Sequence, residues 1–215
     1  YSPNVFTGNV VQRIVPGGDL NDVYTGYLDL IADFALKLEK AGVPVIYRPL
    51  HEQNGYWFYW GAKYCTSQEF VNLYHYTVKY LRDVRNVHNF LYAISPNGPF
   101  KTKEEYLDRY PGDRYVDIMG VDTYDDNPPG PAKSDPWFKD FALTLQSVND
   151  AAKLHHKIPA LTEVGIRDGG SLAVSNNKDK DWFSEVSKMV GKTDMPYFMV
   201  WSNFEREPHN FFAPY

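Results

Sequence analysis

Apolar positions along this chain switch repeatedly between helical spacing and short unbroken runs. Asp19 or Asn21 starts a segment in which Val23, Tyr27, Leu30, Ile31, Phe34 and Leu38 recur three and four residues apart. That spacing predicts a helix burying this stripe and closed by Gly42 and Pro44. Val45-Ile46-Tyr47 follows as an unbroken β-branched and apolar run, the pattern of a parallel strand covered on both faces. Thr66 and Glu69 form a capping-box pattern ahead of Phe70, Leu73, Tyr74, Thr77, Leu81 and Val84, so a second helix is predicted to about Asn86. Phe90–Ile94 is the next strand, stopped by Ser95-Pro96-Asn97-Gly98. Val116–Val121 is a third, and Asp125 to Pro131 is an irregular loop rich in Pro and Gly. Asp135-Pro136 opens a helix with Phe138, Phe141, Leu145, Val148 and Ala152 inward, reaching about His155. Pro159–Thr162 delivers Glu163, a helix spans about Lys180 to Val190 before Gly191, and Tyr197–Trp201 is the last strand.

Five strands in alternation with four predicted helices indicate a parallel sheet with right-handed connections. Each strand leads to a polar or aromatic residue: Glu52, Asn97, Tyr124, Glu163 and Trp201. Repetition of that kind is expected at the catalytic end of a (β/α)8 TIM barrel. A doubly wound sheet is the alternative, but no G-x-G-x-x-G or Walker pattern follows any strand. Five units are too few to close a barrel, which typically needs ~250 residues. The expectation is therefore one catalytic domain over residues 1–215, incomplete at its N-terminal side, with unpaired edges that make it aggregation-prone and poorly active alone.

Composition narrows the function. The chain has 215 residues, 43% of them hydrophobic and 23% charged, enough for one sizeable core. A net charge of −5 argues against a nucleic-acid partner, which requires clustered Lys and Arg. One cysteine, Cys65, excludes an internal disulfide and a cysteine-rich zinc site. No apolar run approaches the roughly 18 residues of a membrane span, so no membrane partner is expected. Tyr1-Ser2-Pro3-Asn4 carries no signal peptide and reads as the middle of a protein. Aromatic residues make up 16% of the chain, more than packing alone asks for.

The densest chemistry lies between Pro44 and Gly61. Arg48, His51, Glu52, Gln53 and Asn54 are followed at once by Trp57, Phe58, Tyr59 and Trp60. Glu52 and Glu163 both follow parallel strands, with two strands between them. Glycoside hydrolysis uses such a pair: one carboxyl protonates the leaving oxygen and the other attacks the sugar or activates water. A single strand-end glutamate is more often an ion-pair partner, so the pair and its surrounding rings carry the argument. His51 on its own would read as a core histidine, and Asp122 as a partner holding the loop at Tyr124. Trp137, Phe141 and Trp182 read as packing, and His155 and His156 as groups at a helix C-terminus. His51-Glu52-Gln53-Asn54-Gly55 is not H-E-x-x-H, so a zinc-protease reading fails. No metal or cofactor is expected.

These residues resemble a known family. RPLHEQNGYWFYWG is similar to the acid/base motif of glycoside hydrolase family 26, mostly β-mannanases among the clan A retaining glycosidases, and LTEVG around Glu163 is similar to its nucleophile motif. SPNVFTG resembles the segment after the family's third barrel strand, GVDTYD its sixth-strand end, and VWSNF its eighth. The resemblance implies strands four to eight of the barrel, with Glu52 as acid/base and Glu163 as nucleophile. It further implies that His51 shapes the site beside the nucleophile, that Tyr124 hydrogen-bonds the nucleophile and that Trp201 is a sugar platform. Trp57, Phe58 and Trp60 would form the aromatic wall, with Asn54 and Asp122 in support and Arg48 steadying the carboxylates. Tyr59 stands where many members carry Trp. The implied partner is a β-mannan polysaccharide, acted on by a secreted or periplasmic enzyme that is monomeric if the domain is complete. β-1,3-Xylan or mixed-linkage glucan hydrolysis, a non-catalytic glycan-binding role and a metal-dependent hydrolase remain as alternatives.

Overall fold

The computed structural model describes residues 8–126, 134–166 and 181–201. Residues 127–131 of the predicted loop, Lys180, the start of SPNVFTG and the end of VWSNF lie outside the described residues. In chain order the elements are α1 (Val10–Ile14), α2 (Asn21–Lys40), β1 (Val45–Tyr47), α3 (Ser67–Lys79) with a π-helical turn at Tyr80–Val84, β2 (Phe90–Ile94), α4 (Lys103–Tyr106), β3 (Ile118–Asp125), α5 (Trp137–His155), β4 (Ile158–Ile166), α6 (Trp182–Val190) and β5 (Phe198–Val200). They fall into two compact units. Residues through 96 with 108–118 form the first, and 97–107 with the residues from 119 onward form the second.

In the first unit β1 and β2 run parallel, pairing Val45 with Phe90, Ile46 with Leu91 and Tyr47 with Tyr92. Asp117 joins the other edge of β2, donating its backbone N–H to the Tyr92 carbonyl and accepting the Tyr92 N–H on Oδ2, each at 2.8 Å. Side chains alternate along a strand, so Tyr47 stacks on Phe90 at 4.9 Å on one face. On the other face Ile46 and Leu91 are exposed. Among the described residues, one face of β1 therefore lacks the cover expected on both. Helix α3 starts with the predicted capping box: Thr66 Oγ1 accepts the Glu69 N–H and the Glu69 side chain accepts the Thr66 N–H.

Two predicted stripes are corrected by the packing. Helix α2 buries Leu28, Ala32 and Ala35, while Val23, Tyr27, Leu30 and Phe34 are exposed. It carries apolar residues on two faces, and the alanine face is the one pinned down by polar bonds. Tyr24 Oη and Thr77 Oγ1 lie 2.6 Å apart, Tyr80 Oη donates to Asp29 Oδ1 at 2.7 Å, and Arg85 Nη2 pairs with Asp33 at 2.8 Å. Neither Asp19 nor Asn21 caps this helix. Arg13 holds Asp19, and the Asn21 amide donates to the Ile14 carbonyl at 2.8 Å. In α3, Val84 is exposed although it lies on the predicted stripe. The wider π-helical turn at Tyr80–Val84 rotates the following residues, so Val87 takes the buried place.

In the second unit β3, β4 and β5 are neighbours in that order, with β4 and β5 parallel and a register shift between Leu161 and Val164. Met119, Val121, Ala160, Leu161 and Val164 build the strand side of the core, against Phe141, Leu145 and Val148 of α5 and Val186 and Val190 of α6. Phe138 of the predicted α5 stripe is only half-buried. Tyr106 of α4 is fully packed and donates to the Gly120 carbonyl at 2.9 Å.

Candidate active site

The first unit holds the acidic end of the Pro44–Gly61 stretch. After Tyr47 the chain is fastened to Ser95, just beyond β2: Arg48 Nη1 donates to Ser95 Oγ and the Glu52 N–H to the Ser95 carbonyl, both at 2.7 Å. Leu50 and Glu52 adopt left-handed backbone angles, φ 56° and 53°. Such angles in non-glycine residues persist only where surrounding contacts impose them. Here the imposing contacts are the Ser95 bonds below and the Gly55 N–H to Glu52 carbonyl turn at 2.9 Å above. The result is a buried Glu52 whose Oε2 accepts the Trp57 indole N–H at 2.6 Å.

Two glycines make that fold-back possible. A Cβ on Gly55 would lie 2.7 Å from the Trp57 ring, and one on Gly61 only 2.4 Å from the Gly55 carbonyl oxygen. Phe58 and Trp60 stack at 4.4 Å, with His51 against Phe58 at 4.7 Å. The Trp60 indole donates to the His51 carbonyl at 2.7 Å. Trp57, Phe58 and Trp60 are half-buried, so this ring cluster is partly open to contact. Tyr59 meets Trp60 edge-on at 4.8 Å, and burial pushes its hydroxyl up to about 12. Asn54 is half-buried on the same turn.

Below the wall, the Cys65 thiol donates to the Trp60 carbonyl at 3.1 Å, and the buried Arg109 guanidinium donates to the Cys65 carbonyl. Burial pushes the thiol up, so Cys65 is a packing group and not a nucleophile. The sequence marks Ser95 only as a strand stop and Cys65 only as a lone thiol, and gives no sign of Arg109; of the three, only the serine at an apolar strand end offers a signal.

The second unit holds the other carboxylates. Glu163 on β4 is buried, and Tyr124 Oη at the end of β3 donates to its Oε2. Asp122, also buried, accepts from Thr162 Oγ1 at 2.7 Å, and its carbonyl accepts the Gly98 N–H at 2.7 Å. Asn97 makes a parallel bridge with Asp122. Thr162 was not singled out by sequence, although its position directly before Glu163 in an apolar run marks it. Trp201 follows β5, is partly exposed, and ties its N–H to the Val164 carbonyl at 3.1 Å. Within the first unit the structure thus gathers Glu52, His51 and the rings of residues 57–60. Within the second it gathers Tyr124 with Glu163, and Asp122 with Thr162.

Carboxylates such as Glu52, Asp122 and Glu163 are hard-cation ligands in principle. Each accepts an N–H or O–H, from Trp57, Thr162 or Tyr124. Those bonds occupy lone pairs and fix orientation, which suits proton transfer and nucleophilic attack.

A family model described as glycosyl hydrolase family 26 matches residues 5–211. The chain belongs to glycoside hydrolase family 26. A mannan endo-1,4-beta-mannosidase of Bifidobacterium adolescentis is 39% identical over 215 residues, covering 96% of this chain and 21% of that protein. Among solved structures, the catalytic domain of a family 26 endo-beta-1,4-mannanase from a Bacillus species superposes with a TM-score of 0.85 at 40% identity, covering 99% of this chain and 55% of that one. A family 26 beta-mannanase of Bacteroides ovatus gives 0.82 at 32% identity, over 98% and 58%. The chain thus spans about half the length of these family 26 structures. Its five parallel strands belong to an incomplete (β/α)8 barrel, in line with the strand count read from the sequence. No helix among the described residues is long and apolar enough to cross a membrane.

Proposed function

We propose that this family 26 chain carries the catalytic centre of an endo-acting, retaining β-1,4-mannanase, with residues 1–215 acting as part of one catalytic domain. The observation that carries the reading is a pair of buried glutamates, Glu52 after β1 and Glu163 within β4, each fixed by an aromatic donor: Glu52 by Trp57 and Glu163 by Tyr124. In the first step Glu163 attacks the anomeric carbon while Glu52 gives its proton to the departing sugar oxygen, leaving a covalent glycosyl-enzyme. In the second step Glu52 takes a proton from water, which displaces Glu163 and restores the starting configuration. Trp57, Phe58, Trp60 and Trp201 offer ring faces to the sugar C–H surfaces, His51 backs that wall, and Asn54, Arg48 and Asp122 hold the polar frame. No cofactor is required. A polymer of this size does not cross a membrane, which supports a secreted or periplasmic enzyme.

The test is a pair of variants in the full protein. Glu163→Ala abolishes turnover of every substrate. Glu52→Ala retains first-step activity on an aryl glycoside whose leaving group needs little protonation, and azide accelerates release of product from it. Equal loss in both variants with no azide effect contradicts the assignment. A panel of soluble mannan, β-1,3-xylan and mixed-linkage glucan tests the substrate, with mannan expected to release oligosaccharides fastest.

A further inference from the structure

Trp182 reads as a packing residue in the sequence, yet its indole N–H does more than fill space. It is fully buried and donates to Asp125 Oδ2 at 2.9 Å, and Asp125 is itself almost fully buried. Asp125 is the last residue of β3, directly after Tyr124. Consecutive residues of a strand face opposite sides. Tyr124 reaches across to Glu163 on β4, while Asp125 reaches back to the first residue of α6.

The ring of Trp182 is held in turn. Trp137 stacks on it at 5.6 Å and on Phe141 at 4.5 Å, and the Trp137 N–H donates to Asp135 Oδ1 at 2.9 Å. Phe183, the next residue of α6, meets Phe198 of β5 at 5.8 Å. A strand end is otherwise the point where ladder hydrogen bonds run out. Here it is tied to a helix whose own position is set by two aromatic contacts.

We propose that Trp182 is a positioning residue for Glu163, acting through Asp125 to fix the end of β3 so that the Tyr124 hydroxyl stays on the Glu163 carboxylate. This rests on the reading of Glu163 as nucleophile, but the link from Trp182 to Tyr124 is separable from it. Removing the indole N–H takes a direct donor from a buried carboxylate and cuts the tie between the strand end and α6, which lets the strand end move. Substitution by Phe keeps the ring stack on Trp137 and removes only the donor.

The experiment is a double-mutant cycle with a structural arm. Trp182→Phe lowers kcat on an aryl β-mannoside about tenfold with KM little changed, per folded enzyme, and Tyr124→Phe lowers it at least as much. The double variant is no slower than Tyr124→Phe alone, because both remove the same contact. Asp125→Asn, which keeps an acceptor oxygen for the indole, retains most of the activity. If Trp182→Phe does not fold, Asp125→Leu takes its place in the cycle. A crystal structure of the first variant shows Tyr124 Oη withdrawn from Glu163. Multiplicative losses, or a crystal structure in which Tyr124 keeps its bond to Glu163, overturn the proposal. If Glu163→Ala remains active, the nucleophile reading fails, and the crystal structure still decides whether Trp182 places Tyr124.

Discussion

The Trp57 indole N–H lies 2.6 Å from Glu52 Oε2, five residues away along a single turn. The first residue of the aromatic wall is therefore also the group that aims the acid/base candidate. A substitution at Trp57 affects binding and chemistry together. Trp57→Phe keeps the ring and removes the donor to a carboxylate, so kcat/KM falls by about 10- to 100-fold. A steady-state comparison of the two proteins on one substrate measures this, and an unchanged value would show that the bond does not orient Glu52.

The wall depends on a glycine that the sequence alone does not explain. Gly61→Ala places a Cβ 2.4 Å from the Gly55 carbonyl, a backbone atom with little freedom to retreat. The turn carrying Trp57 to Trp60 shifts, and stacking contacts worth about 0.5–1.5 kcal/mol each weaken. KM is expected to rise roughly three- to tenfold for long oligosaccharides and little for an aryl monoglycoside. Equal KM changes for both substrates would argue that the wall is not a sugar-binding surface.

Much of the fold was legible because each β/α unit carries its own local signals. The Thr66–Glu69 capping box and the Phe90–Ile94 run stand where the spacing put them, whereas the strand carrying Glu163 runs on to Ile166 and holds Glu163 within it rather than after its end. In helix α2 the apolar spacing does not reveal the buried face, because periodicity finds apolar stripes without saying which faces the core, and its small residues Ala32 and Ala35 decide that. The carboxylates and the rings near them were visible as residue types at strand ends. Their partners Ser95 and Thr162, and the Asp125–Trp182 bond, were not, since a hydrogen bond between segments tens of residues apart leaves no mark in local spacing.

Glu69 gives the acid stability of the first unit a sign. The Gln12 side chain first, then Thr66, donates to its carboxyl and holds it below the ordinary value of 4.5, against a smaller opposing effect of burial. Its folded value lies below its unfolded one. The stabilisation is therefore full above the unfolded value and is lost as pH falls through the folded one. Because Glu69 is largely solvated, the effect is a few tenths of a kcal/mol up to about 1. Thermal melts of the wild type and Glu69→Gln are expected to differ near pH 7 and to converge as pH falls below the lowered folded value of Glu69. A constant difference would show that the charge on Glu69 contributes nothing.

If Glu52 and Glu163 work as acid/base and nucleophile of a retaining enzyme, their carboxyl groups are expected roughly 5–5.5 Å apart in a crystal structure of the full protein. A separation near 8 Å would instead fit attack by water and inversion.

The central claim is that Glu163 forms a bond to the sugar. A 2-deoxy-2-fluoro mannosyl fluoride destabilises both oxocarbenium-like transition states, while its good leaving group still permits the first step, so the glycosyl-enzyme accumulates. Peptide mass spectrometry of the trapped protein should find one added fluoromannosyl group, on the peptide containing Glu163, and none in Glu163→Ala. A label on another residue, or an unlabelled enzyme that turns over mannan with inversion at the anomeric carbon, would contradict the account.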